Sequence, residues 1–273
     1  MNPLVQIFSV LIAVTSFFIM KPPIIAFLAQ RKLLVKNYSG NMILTGGGFL
    51  ILMPCLLACL PFYILNPSQD NILYITMILA LALCGLLDDV LGDSSSKGLA
   101  GHFSSLLSGK MSTGIIKAMP GVLFGLLLAF SRNRRPVDII TNVLLFSLSV
   151  NTINLFDLRP GRAIKAFGIL MLTSVILAGF SGLYLILPVA VVIAFYMGGE
   201  MDEFYMLGDT GANLLGGILG YYQVMILPVP AKAVLVVLLA LLHVFAEFKS
   251  ISKCIDEVPL LTKIDMLGRK RER

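Results

Sequence analysis

The chain has 273 residues, 58% of them hydrophobic and only 13% charged, with a formal net charge of +6. Soluble domains carry about 45–50% apolar and about 25% charged residues, so this composition excludes an ordinary soluble globular protein and places nearly the whole chain in a membrane. A basic balance in such a chain reflects loops on one side of the bilayer and argues against nucleic-acid binding, although it also suits an anionic lipid or nucleotide.

A span needs about 20 mostly apolar residues. Taken in order, the sequence predicts nine spans, and so an all-α polytopic membrane protein. The first runs from Pro3 to Leu28, with a bend expected at Pro22-Pro23. Met1 to Met20 has no early basic region and no small-residue cleavage site, so it reads as part of that span rather than a removable leader. A basic loop with Arg31, Lys32 and Lys36 follows, and the second span is Met42 to Leu65, opening on Gly46-Gly47-Gly48. The third is Asn71 to Leu87, closed by Asp88-Asp89; a polar loop to Ser112 then carries Lys97, His102 and Lys110. The fourth is Thr113 to Phe130 and, after the basic stretch Arg132 to Arg135, the fifth is Val137 to Leu155. Asp157 to Arg162 forms a loop before the sixth and seventh spans, Ala163 to Phe180 and Leu183 to Gly198. Glu200, Asp202 and Glu203 read as a solvated loop face, the eighth span is Gly211 to Leu227, and the ninth is Ala231 to Phe248. This gives one membrane domain over 1–248 and a basic cytoplasmic tail over 249–273.

The Lys/Arg bias puts the N-terminus outside and the C-terminus in the cytoplasm, with Arg132 to Arg135 as an exception. In that topology Asp88-Asp89, Asn154-Asp157, Asp209 and Gly46 to Gly48 all fall at the cytoplasmic ends of their spans, where one polar cleft can gather them. The paired acids are the most unusual feature. Carboxylates are costly in hydrocarbon, and acids are mildly unfavourable at a helix C-terminus. Asn151, Asn154 and Asp157 are three apart and share a helical face. Asp209 and Thr210 stand where a helix N-cap belongs, between Gly208 and Gly211, and a helix N-terminus attracts phosphate. Each group has a plainer reading: solvated acids for the Asp pair, interhelical hydrogen bonding for the asparagines, capping for Asp209, and positive-inside bias for Lys97, Arg159 and Arg162. Cys55, Cys59 and Cys84 lie in spans as small apolar residues. His102 and His243 make no metal pair, and there is no Walker-type nucleotide loop.

Taken together, Leu87-Asp88-Asp89, Ser96-Lys97-Gly98-Leu99, Asn151 to Asp157 and Leu207-Gly208-Asp209-Thr210-Gly211 resemble the polyprenyl-phosphate N-acetylhexosamine-1-phosphate transferases, the family of phospho-N-acetylmuramoyl-pentapeptide transferase. The resemblance covers Gly46 to about Gly220. It implies a Mg²⁺-dependent enzyme of the bacterial cytoplasmic membrane. Such an enzyme moves a sugar phosphate from a UDP-amino sugar to undecaprenyl phosphate, releasing UMP, for cell-envelope glycan synthesis. By position, Asp209 would be a magnesium ligand. Asp88 and Asp89 would be catalytic, one as base or orienting group for the lipid phosphate. Lys97, Asn151, Asn154, Asp157, Arg159 and Arg162 would line the substrate site. Membrane lipids, with no nucleic acid, are the expected surroundings, and a homodimer is an open assembly state. Asp157-Leu158-Arg159-Pro160-Gly161 departs from the family's Asp-Gly-x-Asp-Gly, and the family's histidine-rich loop has no counterpart here, so the chain reads as a divergent branch. The alternatives are a non-catalytic polyprenyl-phosphate-binding relative and a small transporter. A transporter predicts midplane acids and an inverted repeat, neither of which the sequence displays.

Overall fold

The computed structural model describes residues 3–38, 40–65, 67–91, 113–132 and 135–269. Among these are nine helices of 16 residues or more: α1 (Pro3–Gln30), α2 (Phe49–Leu65), α3 (Gln69–Leu91), α4 (Thr113–Arg132), α5 (Pro136–Phe156), α6 (Arg162–Leu177), α7 (Leu183–Met201), α8 (Gly208–Ile226) and α9 (Val229–Phe248). Two short helices, α10 (Ile251–Glu257) and α11 (Pro259–Met266), follow among the described residues. Five of the long helices, α1, α3, α5, α7 and α9, are long and apolar enough to cross a membrane. Large apolar side chains such as Ile19, Ile64, Phe130, Val137, Leu172 and Leu241 stand exposed on the outside of the bundle. Apolar patches on this scale mark a surface that meets something other than water, and the protein is accordingly membrane-embedded.

The predicted segments and the observed helices agree closely, with one correction. The stretch expected to begin the second span is not helical. Leu34–Lys36 (β1) and Met42–Leu44 (β2) form an antiparallel hairpin, with Leu34 opposite Leu44. Gly46 adopts φ 76°, a left-handed conformation that ends the strand before α2 begins at Phe49. The Met206 N–H donates to Leu44 O at 2.7 Å and the Gly47 N–H to Met206 O at 2.9 Å, so the segment before α8 is tied to the hairpin. At α1 the helix runs unbroken through Pro22 and Pro23.

Helix α8 is the central element, packed against α3 and α5. Every residue from Gly208 to Val224 except Asp209 is buried. In lipid there is no hydrophobic drive between helices, so small residues that permit close approach do the work. A side chain added at Gly216 would meet Val150 Cα at 2.5 Å, and one at Gly85 would meet Asp209 O at 2.2 Å. Deeper in the bundle, the Ser149 hydroxyl donates to Gln223 Oε1 at 2.7 Å and Gln223 Nε2 donates to Ser174 Oγ at 3.0 Å, linking α5, α8 and α6.

Gly85→Ala forces a methyl group into immovable backbone and is expected to destabilise the protein by roughly 1–3 kcal/mol, the usual scale for overpacking. Gly168→Ala, where nothing lies within 4 Å, should be neutral or stabilising by up to ~1 kcal/mol. Thermal unfolding of the two variants in detergent checks this, and equal midpoints would contradict the close α3–α8 crossing.

Candidate functional site

The end of the bundle that holds the hairpin also holds the acids. Helix α3 does not stop before Asp88-Asp89 but continues to Leu91, so both acids sit on a regular helical turn and point in different directions. Asp89 faces the start of α8. Its Oδ1 accepts from the Asp209 N–H at 3.0 Å, and its Oδ2 accepts from the Thr210 N–H at 3.0 Å and the Thr210 hydroxyl at 2.6 Å. The Thr45 hydroxyl donates to Oδ1 at 3.3 Å. The first amides of a helix have no internal partner, and here a carboxylate from a different helix takes them. Helix α8 begins at Gly208, so Asp209 and Thr210 lie in its first turn rather than at its N-cap, and no side-chain cap comes from its own N-cap residue, Leu207.

The asparagine face of α5 ends beside this cap. Asn154 Nδ2 hydrogen-bonds Asn213 Oδ1. Asp157 follows the last turn and accepts a hydrogen bond from the Gly208 N–H, with Glu200, Asp209 and Asp89 in electrostatic range. Burial first, and then those negative neighbours, push the Asp157 carboxyl well above the usual carboxylate range. Among the described residues, Asn154 Oδ1 and Asp157 Oδ1 are buried without a hydrogen-bond partner. Buried oxygens without partners are costly unless a ligand or ion supplies one. Asn151 sits half-buried one turn earlier.

Glu200 requires a correction. It is not a solvated loop residue but is fully buried near the end of α7. Its Oε1 accepts from the Gly161 N–H at 2.6 Å and its Oε2 from the Tyr196 hydroxyl at 2.5 Å. Four residues separate Tyr196 from Glu200, one helical turn, so the pairing follows from sequence spacing once α7 is extended to Met201. Asn213, four residues after Asp209, was discoverable by the same rule.

Arg159 and Arg162 lie at the same end but are engaged by the tail. Arg159 makes a two-pronged contact with Asp256, at 2.8 Å on each prong. Arg162 grips Asp265 through Nε at 2.8 Å and Nη2 at 2.9 Å, and reaches Ser252 Oγ at 2.8 Å through Nη1. Arg269 Nη2 also reaches Asp265, at 3.2 Å, and Lys165 Nζ donates to the Asp265 carbonyl at 2.6 Å. Burial would raise the Asp265 carboxyl, but its bonds to Arg162 and the charges of Arg269, Arg162 and Lys165 outweigh that and hold it below the usual range. Lys97 falls at 92–112, outside the described residues.

The donors gathered around α8 are carboxylate and amide oxygens, the type a hard cation such as Mg²⁺ prefers. Among the described residues no three His, Cys, Asp or Glu side chains are arranged as a metal cage. No protein-family model matches this chain, and no curated protein is significantly similar to it.

Two outcomes follow from these contacts. Arg162→Ala breaks a buried pair, a change of about 3–5 kcal/mol, whereas Arg159→Ala loses a partly exposed pair worth ~1 kcal/mol or less. Limited proteolysis should therefore cut the tail rapidly in the first variant and near the wild-type rate in the second; the reverse order would contradict the Arg162–Asp265 anchor. The pH dependence has a definite sign. The folded Asp265 and Asp256 carboxyls are depressed, so their contribution to tail docking is fully present above the unfolded value of about 3.9 and is lost as pH falls through the folded values. Tail cleavage by an acid-active protease should rise only below about pH 4, and release at neutral pH would contradict the assignment.

Proposed function

We propose that this protein is a membrane phosphoglycosyl transferase. It would move a sugar phosphate from a UDP-amino sugar to undecaprenyl phosphate, with Mg²⁺, at the cytoplasmic face of a bacterial inner membrane. The nine long helices are read here as nine spans, with the N-terminus outside and the tail in the cytoplasm. The observation that carries the proposal is the convergence of Asp89, Asp157, Asp209 and Asn154 at the start of α8, with buried oxygens of Asn154 and Asp157 left without partners.

Both substrates of such a reaction are anionic, and their approach requires charge neutralisation. Mg²⁺ held by Asp209, with Asp157 and Asn154 as further oxygen donors, would stabilise the departing UMP. Asp89 already gives both of its oxygens to the α8 N-terminus and Thr45, so its part is to position Asp209. Asp88, the neighbouring acid on α3, would serve as base or orienting group for the lipid phosphate. Asn151 would extend the polar face toward the sugar, and Lys97 would lie on the nucleotide side.

A second reading has an observation of its own. Arg159 and Arg162 are taken up by Asp256 and Asp265, which favours a relative that binds polyprenyl phosphate without transferring to it.

The purified protein with Mg²⁺, polyprenyl phosphate and a panel of UDP-sugars is expected to release UMP and form a lipid-linked product. Lipid binding with no UMP from any donor, while a related control enzyme turns over, would select the second reading. Asp209→Asn should lower turnover by at least ~10²-fold, the scale of a lost electrostatic group at a reacting centre, with the thermal midpoint unchanged. Retained turnover would remove its metal role. Mg²⁺ should also release protons in weak buffer set within the range where Asp157 gives up its proton, because a bound cation favours the ionised carboxyl. Release undiminished in Asp157→Asn would exclude Asp157 as a ligand.

A further inference from the structure

Beneath the tail lies a cavity of about 370 Å³ to which the proposed reaction assigns nothing. Its walls come from α5, α6 and α9 on one side and α10 and α11 on the other. They include Phe156, Leu170, Phe245, Ile255 and Ile264, so the lining is almost wholly apolar. Arg162, Lys165 and Asp265 are the charged residues on its wall. The volume falls in the range of about 300–1,000 Å³ typical of small-molecule pockets, and part of one acyl chain is enough to fill it.

The surrounding charge specifies the ligand further. Arg159, Arg162, Lys165 and Arg269 gather around the two tail carboxylates, Asp256 and Asp265. Positive charge is in excess there, even with Glu200 counted as a third acid. On the outer surface Phe248 at the end of α9 and Leu260 and Leu267 of the tail are exposed, among the exposed cations Lys249, Lys253 and Lys263 and the exposed acids Glu247 and Glu257. Apolar side chains interleaved with lysines are how a helix lies in the interface of a membrane with anionic lipids.

We infer that the cavity between α6, α9 and the tail helices holds an anionic phospholipid of the surrounding bilayer, with an acyl chain among Leu170, Phe245 and Ile264 and its phosphate toward Lys165 and Arg162. The lipid is a lasting structural ligand that seats the tail against the bundle. It is not consumed, and its binding needs neither Mg²⁺ nor a sugar donor, so its failure and that of the proposed transfer are separable.

The probes are phosphatidylglycerol, phosphatidylcholine and polyprenyl phosphate, added to full-length protein in detergent and read by native mass spectrometry. One phosphatidylglycerol per chain should be retained in preference to phosphatidylcholine. Lys165→Gln should weaken that retention roughly fivefold, the scale of one basic residue near an anionic headgroup. Lys165→Arg and the hairpin variant Lys36→Gln should leave it unchanged. The sequence contains no tryptophan, so Phe245→Trp supplies a single reporter on the cavity wall. One equivalent of phosphatidylglycerol brominated along its acyl chain should quench it, and brominated phosphatidylcholine should not. Equal retention of the two phospholipids, absence of quenching, or displacement of phosphatidylglycerol by one equivalent of polyprenyl phosphate would each overturn the inference, the last by making the cavity a substrate site.

Discussion

The arrangement of this protein depends on a carboxylate of one helix closing the N-terminus of another. Helix α8 is buried along nearly its whole length, and the amides of its first turn have no water to turn to. Asp89 of α3 takes the Asp209 and Thr210 amides and the Thr210 hydroxyl. It meets the positive end of the helix dipole at the same time. For that contact α3 must come within backbone distance of α8, which a residue without a side chain at Gly85 permits. An acid that is unfavourable at the end of its own helix is thus favourable at the start of its neighbour.

That cap organises its surroundings. With α8 held against α3, the Gly208 amide turns to Asp157, Asn213 turns to Asn154, and Asp209 is left as the half-buried residue at the mouth of an otherwise buried helix. Negative charge accumulates on one side of the loop between α5 and α6. Positive charge accumulates on the other, where Arg159 and Arg162 hold the tail. The proposed transfer uses the first side, because a cation shared with bound phosphate relieves both the repulsion among the acids and the unpaired oxygens. The second side is held together largely by its own carboxylates, and Arg162 and Lys165 stand on the wall of the apolar cavity proposed to hold a lipid.

Much of the architecture was legible because apolar runs of about 20 residues in this setting have one stable outcome. The helices from Pro3, Thr113, Leu183 and Val229 begin within a few residues of where hydropathy places them. The departures have physical causes. At Met42–Leu44 an apolar triplet was indistinguishable from the opening of a span, but the left-handed turn at Gly46 and pairing with β1 and Met206 made it a strand. Glu200 looked like a loop acid because its partners, the Gly161 amide and Tyr196, become adjacent only when α7 runs on to Met201. Arg159 and Arg162 looked free for substrate because the acids that meet them lie roughly 100 residues away in a stretch that reads as polar tail.

The sequence by itself determined that the chain is helical and membrane-embedded, and that Asp88, Asp89, Asn154, Asp157 and Asp209 stand at the ends of apolar segments. Composition and spacing carry that much, since they act through hydrophobic length and the helical repeat alone. Only the tertiary structure decided how those ends divide the work: Asp89 to the α8 amides, Asp157 to Gly208 with an oxygen to spare, the two arginines to the tail. Hydrogen-bond partners in a packed interior are set by which backbones can approach, and that is a property of glycine contacts between helices distant in sequence rather than of any local run of residues.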